Sequence, residues 1–545
     1  MTDEVDQRDA ETVPDSELSA SPWWQEAVVY QIYPRSFADS NGDGVGDLQG
    51  ILAHLDHLAE LGVDAIWLSP TQPSPMADNG YDISDYCDID PVFGTLGDFD
   101  ALLDAVHARG MRLVIDYVPN HTSDEHPWFR NAVASVDSSM RDRYVWRDPG
   151  PDGEPPNNWL RAFSPEPAWT LDQTSGQYYL HLFLPEQPYL NWRNYDVQRE
   201  MAGVLEFWMD RGVDGFRADV VHCIGKGQDL ADASPELAGL PACIFDHGPG
   251  THDMLRMLRK VVDGDRPGAH LLLGETAVFD REQQLSYLGT GDELHLAFNF
   301  LALHASWDAA RWRGELEATY GGHDRIGAWP TWVMSNHDLP RHRTRYGNEA
   351  RARAAAVLLL TLRGTPFLYQ GEELGLQDAV VPPEAVVDPG GRDGCRAPIP
   401  WTDDPTGGWG PNAWLPSPPD AGQSSAAAER ADPDSMLAHY RRLLSLRSAT
   451  DALRVGDIEL LDAPEGALRF LRRLAGGVAA DSRADPAEIE VAVNFTAEKV
   501  AGPFAGGDVI GGTTAPGELG PIDPATALGP DEARIVAIDG GASLR

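Results

Sequence analysis

The sequence predicts a (β/α)8 TIM barrel of the α/β class, followed by a smaller antiparallel domain. Eight short apolar runs recur along the chain, and amphipathic helical patterns separate them. Within each run the apolar residues are consecutive rather than alternate, which is typical of parallel strands buried on both faces. Polar and charged residues gather at the carboxyl ends of the runs, where barrels of this class place their functional sites.

The eight runs are the predicted barrel strands. They lie at 27–37, 64–70, 111–121, 212–221, 270–279, 293–300, 329–338 and 364–375. Between them, apolar residues three and four positions apart predict helices. One example is the stretch 48–62, where Ile51, Leu55 and Leu58 would share one face. Strand and helix therefore alternate along most of the chain.

The remaining segments predict three additions to a barrel formed by 23–120 and 196–453. Residues 1–22 are acidic and poor in apolar side chains, and we expect a disordered leader. Residues 121–195 contain many Trp, Pro and Asn residues but no clear barrel helix. A structureless loop of that length is uncommon, so we expect an inserted subdomain after strand 3. Strand-like runs within 454–545 predict a C-terminal antiparallel β-sandwich.

Composition excludes several classes of partner. The formal net charge is −43 and the pI is about 4.5, so the surface repels nucleic acids and anionic membranes. No apolar run is long enough to span a membrane, and the N-terminus does not resemble a signal peptide. The four cysteines form no CxxC pair. We therefore expect a cytoplasmic protein acting on a small molecule, with monomer and homodimer both left open.

Carboxylates at three different strand ends are the strongest functional signal. They are Asp219, Glu275 and Asp338. An ion pair would explain any one of them about as well, but three acids converging on one barrel mouth favour catalysis. Glycoside cleavage uses one carboxylate as nucleophile and one carboxylic acid as proton donor, with different pKa values. Arg217, two residues from Asp219 on the same strand face, is expected to keep Asp219 ionised.

A second signal is the loop 39–50, whose sequence is DSNGDGVGDLQG. Oxygen-bearing side chains at alternate positions are typical of a calcium loop. The twelfth position of an EF-hand requires a bidentate glutamate, but Gly50 stands there. The loop is therefore not an EF-hand. It is either another kind of metal site or a turn, since Asp, Asn and Gly also favour turns.

Taken together, several stretches resemble the conserved regions of the α-amylase family of glycoside hydrolases (family 13). The four principal ones are 116-DYVPNH-121, 215-GFRADVVH-222, 274-GETAVF-279 and 335-SNHD-338. They occur in the family's order, and the resemblance runs from about residue 23 to about residue 448. It is closest to the α-glucosidase and oligo-1,6-glucosidase branch.

The resemblance implies an exo-acting, retaining α-glucosidase that removes terminal glucose from short α-glucosides such as maltose, sucrose or isomalto-oligosaccharides. Asp219 would be the nucleophile, Glu275 the general acid and then base, and Asp338 the stabiliser of the transition state. The residues implied to line the glucose subsite are Tyr81, Asp82, His121, Arg217, His337 and Arg396. Two more, Phe163 and Phe183, would stack near the pocket, with structural packing as an equal alternative.

The resemblance also implies a structural Ca²⁺ site in the first strand-helix loop, with Mg²⁺ as the alternative ion. Its ligands would be side-chain oxygens of Asp39, Asn41, Asp43 and Asp47 and the backbone carbonyl of Val45. Such a metal would hold the loop and take no part in the chemistry.

Three positions depart from the branch or leave its specificity open. Tyr189 replaces the branch's usual Asp in 187-QPYLNW-192, at a position that helps anchor the inserted subdomain. Val220, after the nucleophile, leans towards α-1,6 linkages, but the following segment 222–253 fits oligo-1,6-glucosidases poorly. His222 either touches a second sugar or packs in its loop. Linkage preference therefore stays open.

Two groups of alternatives remain. An oligo-1,6-glucosidase, or an α-glucosyltransferase or isomerase such as a sucrose isomerase, trehalose synthase or transglucosidase, would use the same catalytic residues, because the same glucosyl-enzyme forms in each. A non-catalytic relative of transporter subunits is a remote alternative. It is disfavoured because Asp219, Glu275 and Asp338 are all present.

Overall fold

The computed structural model describes residues 21–538 except 228, 249, 266–267, 420, 475–485, 487, 503, 505 and 514–518. The predicted leader lies outside the described residues, apart from its last two. The strands are β1 (Val29–Ile32), β2 (Ala65–Leu68), β3 (Arg112–Tyr117), β4 (Trp146–Arg147), β5 (Trp169–Asp172), β6 (Gln177–Leu180), β7 (Gly215–Ala218), β8 (Leu271–Gly274), β9 (Leu296–Ala297), β10 (Thr331–Val333), β11 (Thr365–Tyr369), β12 (Asp457–Leu461), β13 (Ala467–Arg473), β14 (Glu488–Asn494), β15 (Gly507–Gly512), β16 (Gly520–Ile522) and β17 (Ala533–Ile538).

The helices lie mainly between the barrel strands. They are α1 (Trp23–Glu26), α2 (Leu48–Ala53), α3 (Leu55–Leu61), α4 (Leu96–Ala108), α5 (Pro127–Ala134), α6 (Tyr195–Arg211), α7 (Ala242–Phe245), α8 (Gly250–Asp263), α9 (Arg281–Ser286), α10 (Phe300–Leu303), α11 (Ala309–Ile326), α12 (His342–Tyr346), α13 (Glu349–Thr361), α14 (Ala426–Ala431), α15 (Met436–Ser448) and α16 (Asp451–Arg454). Within the described ranges, none is long and apolar enough to cross a membrane.

Eight parallel strands form a nearly closed barrel, which confirms the predicted fold class. Their order is β10-β11-β1-β2-β3-β7-β8-β9. The strands are buried on both faces: in β8, Leu271 and Leu273 join the apolar cluster inside the barrel, whereas Leu272 packs among the surrounding helices. This double burial explains why the sequence shows apolar runs instead of alternation.

The register of the strands places the polar residues at their carboxyl ends at the same height along the barrel axis. Asp116 on β3 lies opposite Arg217 on β7, and Ala218 lies opposite Gly274 on β8. Helix α6 feeds directly into β7, because Gly212 ends the helix with φ of 106°, in the left-handed region that glycine favours. The residues that follow Ala218 and Gly274, Asp219 and Glu275, therefore emerge side by side.

The segment predicted as the inserted subdomain contains a three-stranded antiparallel sheet in the order β4-β6-β5. Tyr189 packs between this sheet and the loop after β7. Its hydroxyl donates to the Ile224 carbonyl at 2.5 Å, and the Lys226 ammonium lies 4.6 Å from its ring centroid. Tyr189 therefore still anchors the subdomain, through different contacts from those available to an aspartate.

The C-terminal region is an antiparallel sheet domain, as predicted, but its described strands form one sheet of six rather than a two-sheet sandwich. Helices α11, α13, α15 and α16 contact this sheet. Its apolar side chains Phe470, Val491 and Ile535 belong to the same core cluster as the barrel helices. The helices thus cover the face that a second sheet would otherwise bury.

Candidate active site

A cavity of about 330 Å³ lies at the carboxyl ends of the barrel strands. This is within the size range of small-molecule sites. A larger cavity of about 970 Å³, between the inserted subdomain and the loop after β7, contains none of the predicted site residues. The predicted residues that line the smaller cavity are Tyr81, His121, Phe163, Phe183, Asp219, Glu275, His337 and Asp338.

One guanidinium joins three carboxylates at the floor of the cavity, a set we call the Arg217 cluster. Arg217 Nη1 donates to Asp116 at 2.9 Å and to Asp219 at 2.6 Å, and Nη2 donates to Glu275 at 2.7 Å. Arg217 itself is buried behind these acids and does not line the cavity. Asp219 and Glu275 thus lie within the span of a single guanidinium, as the short carboxylate separation of retaining glycosidases requires.

Burial dominates the electrostatics of the Arg217 cluster. It raises the pKa of Asp219 well above the usual value, and the repulsion of Glu275 and Asp116 adds to this while Arg217 opposes it. Burial also raises the pKa of Asp116 to about 6, against the attraction of Arg217. The predicted effect of Arg217 on Asp219 is present but smaller than the effect of burial. One cation for three carboxylates leaves the cluster holding a proton to higher pH than free aspartate would.

A second cluster surrounds Asp338, and we call it the Arg392 cluster. It consists of Asp78, Asp338 and Asp388 together with Arg392 and Arg396. Arg392 donates to Asp338 at 3.0 Å and to Asp78 at 2.6 Å, and Arg396 donates to Asp388 at 3.1 Å. This cluster has two cations for its three carboxylates, so it carries less net negative charge than the Arg217 cluster, which has one.

The cations of the Arg392 cluster keep Asp338 ionised. Burial alone would raise the pKa of Asp338, but His337, Arg392 and Arg396 together outweigh burial and lower it. Because burial lowers the pKa of His337 to about 3, its ring is neutral at ordinary pH, and the two arginines carry the effect. Asp338 is therefore an acceptor of hydrogen bonds across the working pH range.

Two neutral imidazoles complete the floor. His337 stacks on Tyr81 with ring centroids 5.4 Å apart, and its Nε2 lies 2.7 Å from the Tyr81 hydroxyl. The same hydroxyl donates to Asp116 at 3.0 Å, which links the imidazole to the Arg217 cluster. His121 lies with Nε2 3.0 Å from Gln187 Nε2, and burial lowers its pKa to about 3 as well. Both rings therefore offer uncharged hydrogen-bonding groups.

Asp82, predicted to line the glucose subsite, does not line the cavity in this structure. Its side chain is fully buried, and its oxygens accept from Ser74 Oγ and from the backbone N–H groups of Ala77 and Asp78. Asp82 thus stabilises the turn formed by residues 77–82 through hydrogen bonds to its backbone. Asp78, which the sequence reasoning missed, lines the cavity instead. Asn79 and Gly80, with φ of 52° and 113°, reverse the chain between the two aspartates.

Arg396, also predicted for the glucose subsite, does not line the cavity itself but donates to Asp338, which does, at 3.3 Å. Arg396 is fully buried, and its Nε donates to the His337 carbonyl at 2.8 Å. Arg392, which the sequence reasoning did not name, lines the cavity and lies 4.6 Å from the Phe163 ring centroid. Phe163 therefore lines the cavity and also packs against a guanidinium, so the structure does not choose between the two alternatives.

The residues after the nucleophile position are held tightly. Val220 lies in the left-handed region with φ of 34°, which is strained for a β-branched residue. Its backbone N–H donates to Glu275 at 3.1 Å, so the strained turn orients that carboxylate. His222 is buried, with its ring nitrogens 3.3 Å and 2.9 Å from the Glu275 and Cys243 carbonyls. This favours packing over contact with a second sugar.

The loop predicted to bind calcium is closed by its own hydrogen bonds. Asp39 accepts three backbone N–H groups, from Asn41, Gly42 and Gly44. Asp47 caps helix α2 by accepting from Gly50 N–H at 2.6 Å. Across the described part of the chain, no group of three or more His, Cys, Asp or Glu side chains is arranged to hold a metal. The oxygen donors of the loop suit Ca²⁺ in type, and the calcium site stays a prediction.

The fold and the site together define an enzyme class. A (β/α)8 barrel that carries two bridged carboxylates and an ionised third one at its carboxyl end has the active site of a glycoside hydrolase. The chain matches the α-amylase catalytic-domain family over residues 31–456. It therefore belongs to the α-amylase family of glycoside hydrolases.

Individual relatives agree with this assignment. The chain is 43% identical over 488 residues to a probable α-glucosidase of Rhizobium meliloti, covering 83% of this chain and 87% of the relative. It is 38% identical over 494 residues to an oligo-1,6-glucosidase of Parageobacillus thermoglucosidasius, covering 81% and 86%. The crystal structure of the trehalulose synthase MutB from Pseudomonas mesoacidophila is similar with a TM-score of 0.87 at 32% identity, covering 95% and 100%.

Proposed function

We propose that the protein is an exo-acting, retaining α-glucosidase that removes terminal glucose from short α-glucosides such as maltose. The observation that carries the proposal is the single Arg217 guanidinium that bridges Asp219 and Glu275 at the floor of a small cavity. Relatives named α-glucosidase and oligo-1,6-glucosidase support it. Cavity size favours one glucose unit at the floor, and hence attack at a chain end.

The reaction proceeds by double displacement. Asp219 attacks the anomeric carbon while Glu275 donates a proton to the departing oxygen, and a glucosyl ester forms on Asp219. Glu275, now a carboxylate, removes a proton from water, which displaces Asp219. Two inversions restore the α configuration.

The two clusters have different roles: the Arg217 cluster supplies the proton and the nucleophile, and the Arg392 cluster binds sugar hydroxyls. In the free enzyme the Arg217 cluster holds a proton to higher pH than free carboxylates would, because burial raises the pKa values of Asp116 and Asp219. Passing that proton through Glu275 to the leaving oxygen leaves Asp219 as the carboxylate nucleophile. Asp338, kept ionised by its arginines, accepts hydrogen bonds from sugar hydroxyls, and Asp78 and Arg392 lie beside it to hold the same ring.

Time-resolved proton NMR with maltose as the single substrate tests the proposal. The reducing-end glucose of maltose is released as the mixture of anomers that maltose already contains, so retention is measured from the other glucose. We expect an early excess of α-glucose over the share present at the reducing end of maltose, which mutarotation then removes. An early excess of β-glucose over that share would contradict retention. Because the fold is also similar to a trehalulose synthase, a glucosyl-transferring or isomerising enzyme is the second candidate. New anomeric signals from a rearranged or extended glucoside, exceeding those of glucose, would favour that candidate.

We further propose a structural Ca²⁺, with Mg²⁺ as the alternative, on the loop that contains Asp39, Asn41, Asp43, Val45 and Asp47. The side-chain oxygens in that loop support the proposal by their chemical type. We also propose a cytoplasmic location, supported by the free state of all four cysteines. Sedimentation or light scattering would distinguish a monomer from a homodimer.

A further inference from the structure

The imidazole of His337 depends on neighbouring groups for its orientation. The torsion that turns a histidine ring has broad preferences, so the side chain alone does not fix the plane of the ring. Burial lowers the pKa of His337 to about 3, so the ring is neutral and is not oriented by a charge of its own. The contacts around the ring must therefore hold it in the orientation that a sugar in the cavity meets.

Two of these contacts lie at the edge of the ring and on its cavity side. Gln31 Nε2 lies 2.7 Å from His337 Nδ1 and restrains one edge. Tyr81, which lines the cavity, stacks on the ring with the two planes 5° apart. These contacts leave the side of the ring away from the cavity to be supported by another group.

Tyr33, directly after β1, provides that support. Its ring stacks on His337 with centroids 5.8 Å and planes 20° apart. Tyr33 is fully buried and does not line the cavity, so it touches the imidazole without facing a ligand. Its hydroxyl oxygen has no hydrogen-bond partner within the described part of the chain. Because a buried hydroxyl without a partner lowers stability, the useful part of Tyr33 is its flat ring.

Trp414, in the segment between β11 and α14, supports Tyr33 in turn. The two rings stack with centroids 6.2 Å and planes 29° apart. Trp414 is itself restrained, because its Nε1 donates to Ser36 Oγ at 3.1 Å and the Arg35 guanidinium lies 4.6 Å from its ring centroid. Three rings from three distant parts of the chain thus form one stack, which ends at the imidazole in the cavity.

We propose that Tyr33, supported by Trp414, is a positioning residue that fixes the plane of the His337 ring for contact with the sugar. Neither Tyr33 nor Trp414 lines the cavity, so both act through His337. The inference rests on the proposed function, which places one glucose unit on the cavity floor beside His337. It follows that the flat ring at position 33 matters for catalysis and that its hydroxyl does not.

Two substitutions at Tyr33 separate the ring from the hydroxyl. Tyr33→Phe keeps the stacked ring, so kcat/KM with maltose should stay within about twofold of wild type. Tyr33→Leu keeps an apolar side chain but removes the stacked face, so kcat/KM should fall about three- to tenfold, the effect of one lost aromatic contact. Both are assayed well below the melting temperature of each variant. Equal kcat/KM values for the wild type and both variants would overturn the positioning role.

A double-mutant cycle with His337 tests whether the effect passes through the imidazole. In a His337→Ala background, Tyr33→Leu should lower kcat/KM by less than about twofold, because no ring remains to be oriented. The Tyr33 ring also lies 5.2 Å from the Arg396 guanidinium. A loss that acts through Arg396, or through general destabilisation, would be undiminished in the His337→Ala background. That result would overturn the positioning role and leave the proposed function standing.

Tyr320→Leu is the matched control. Tyr320 is also a buried tyrosine in an aromatic contact, 5.7 Å from Trp332, but it lies outside the cavity. The variant should lower the melting temperature and leave kcat/KM unchanged. If Tyr33→Leu does not fold, Trp414→Leu, at a half-buried position, gives the same cycle with a smaller loss. A wild-type enzyme that releases no glucose from maltose, isomaltose or sucrose would overturn the proposed function, and the positioning role with it.

Discussion

The Arg217 cluster and the Arg392 cluster contain three carboxylates each but differ in their cations. One guanidinium serves Asp116, Asp219 and Glu275. Two guanidiniums serve the carboxylates around Asp338. Both clusters are largely buried, so burial acts on both in the same direction. The single guanidinium of Arg217 does not offset burial, so the pKa of Asp219 is raised. Around Asp338, the neighbouring His337, Arg392 and Arg396 outweigh burial, so its pKa is lowered.

This difference suits two tasks that conflict within one site. The cluster that supplies a proton to the leaving oxygen must hold one before the reaction begins, whereas a carboxylate that binds sugar hydroxyls must stay ionised. Placing the acids in clusters with different cation counts allows both within one small cavity. The Tyr81 hydroxyl, which contacts Asp116 and His337, lies where the two clusters meet.

Removing the nucleophile should have the largest effect. Asp219→Asn keeps the shape of the side chain but cannot form the glucosyl ester, so kcat with maltose should fall by at least about 10⁴-fold. Steady-state assays on protein with an unchanged melting temperature measure this. Asp210→Asn, at an exposed position on α6, should behave as wild type. Activity of Asp219→Asn within tenfold of wild type would rule out the assigned role.

Replacing the shared cation should have the next largest effect. Lysine keeps the charge of Arg217 but is a single point donor that cannot span three carboxylates, so we expect Arg217→Lys to lower kcat/KM by about 10²- to 10³-fold. Arg217 lowers the pKa values of its neighbours, so weakening it should move the acid limb of the pH profile to higher pH.

Arg199→Lys is the control for this substitution, because Arg199 pairs with Asp196 and Glu200 on the surface of α6. It should leave the pH profile in place. An acid limb of Arg217→Lys that stays fixed or moves to lower pH would contradict the account of the Arg217 cluster.

Within the Arg392 cluster, substitution of Arg392 should mainly affect activity, whereas substitution of Arg396 should mainly affect stability. Arg392 lines the cavity, so Arg392→Lys should lower kcat/KM by about 10- to 100-fold. Arg396 is fully buried, so Arg396→Lys should lower the melting temperature by several degrees, because it weakens the pairing of buried Asp388. Assays and thermal unfolding of both variants test this, and the reverse pattern would restore the prediction that Arg396 faces substrate.

Calcium should have the smallest effect on activity. An ion at 100 times its dissociation constant would stabilise the fold by about 2.7 kcal/mol. We therefore expect added Ca²⁺ to raise the melting temperature by a few degrees and to leave kcat unchanged, and Asp43→Asn to remove the rise. A Ca²⁺-independent melting temperature would reject the metal site without touching either cluster.

The barrel and the three principal carboxylates could be predicted from the sequence because they depend on short-range patterns. Asp219 and Glu275 each follow an apolar strand directly, and the carboxyl ends of parallel strands always meet at one end of a barrel. Arg217 was predictable as a partner of Asp219 because residues two apart on a strand share a face.

Residues on long loops could not be placed in the same way. Asp78 and Asp82 are both candidates in sequence, and only the chain reversal at Asn79 and Gly80 decides which of them lines the cavity. Arg392 and Arg396 are separated by one turn of 3₁₀ helix, and both pair with Asp388, but only Arg392 lines the cavity. The opposite pKa shifts of Asp219 and Asp338 could not be predicted either, because they depend on burial and on the charged groups that the fold brings around each carboxylate.

Trapping the covalent intermediate tests the central claim most directly. The claim is that Asp219 accepts the glucosyl group while Glu275 transfers the proton. After incubation with 5-fluoro-α-D-glucosyl fluoride, whose glucosyl ester hydrolyses slowly, digestion and mass spectrometry should find one added fluoroglucosyl group, on the peptide that contains Asp219. A label on Asp338 or Glu275, or turnover of the reagent with no labelled peptide, would contradict the account.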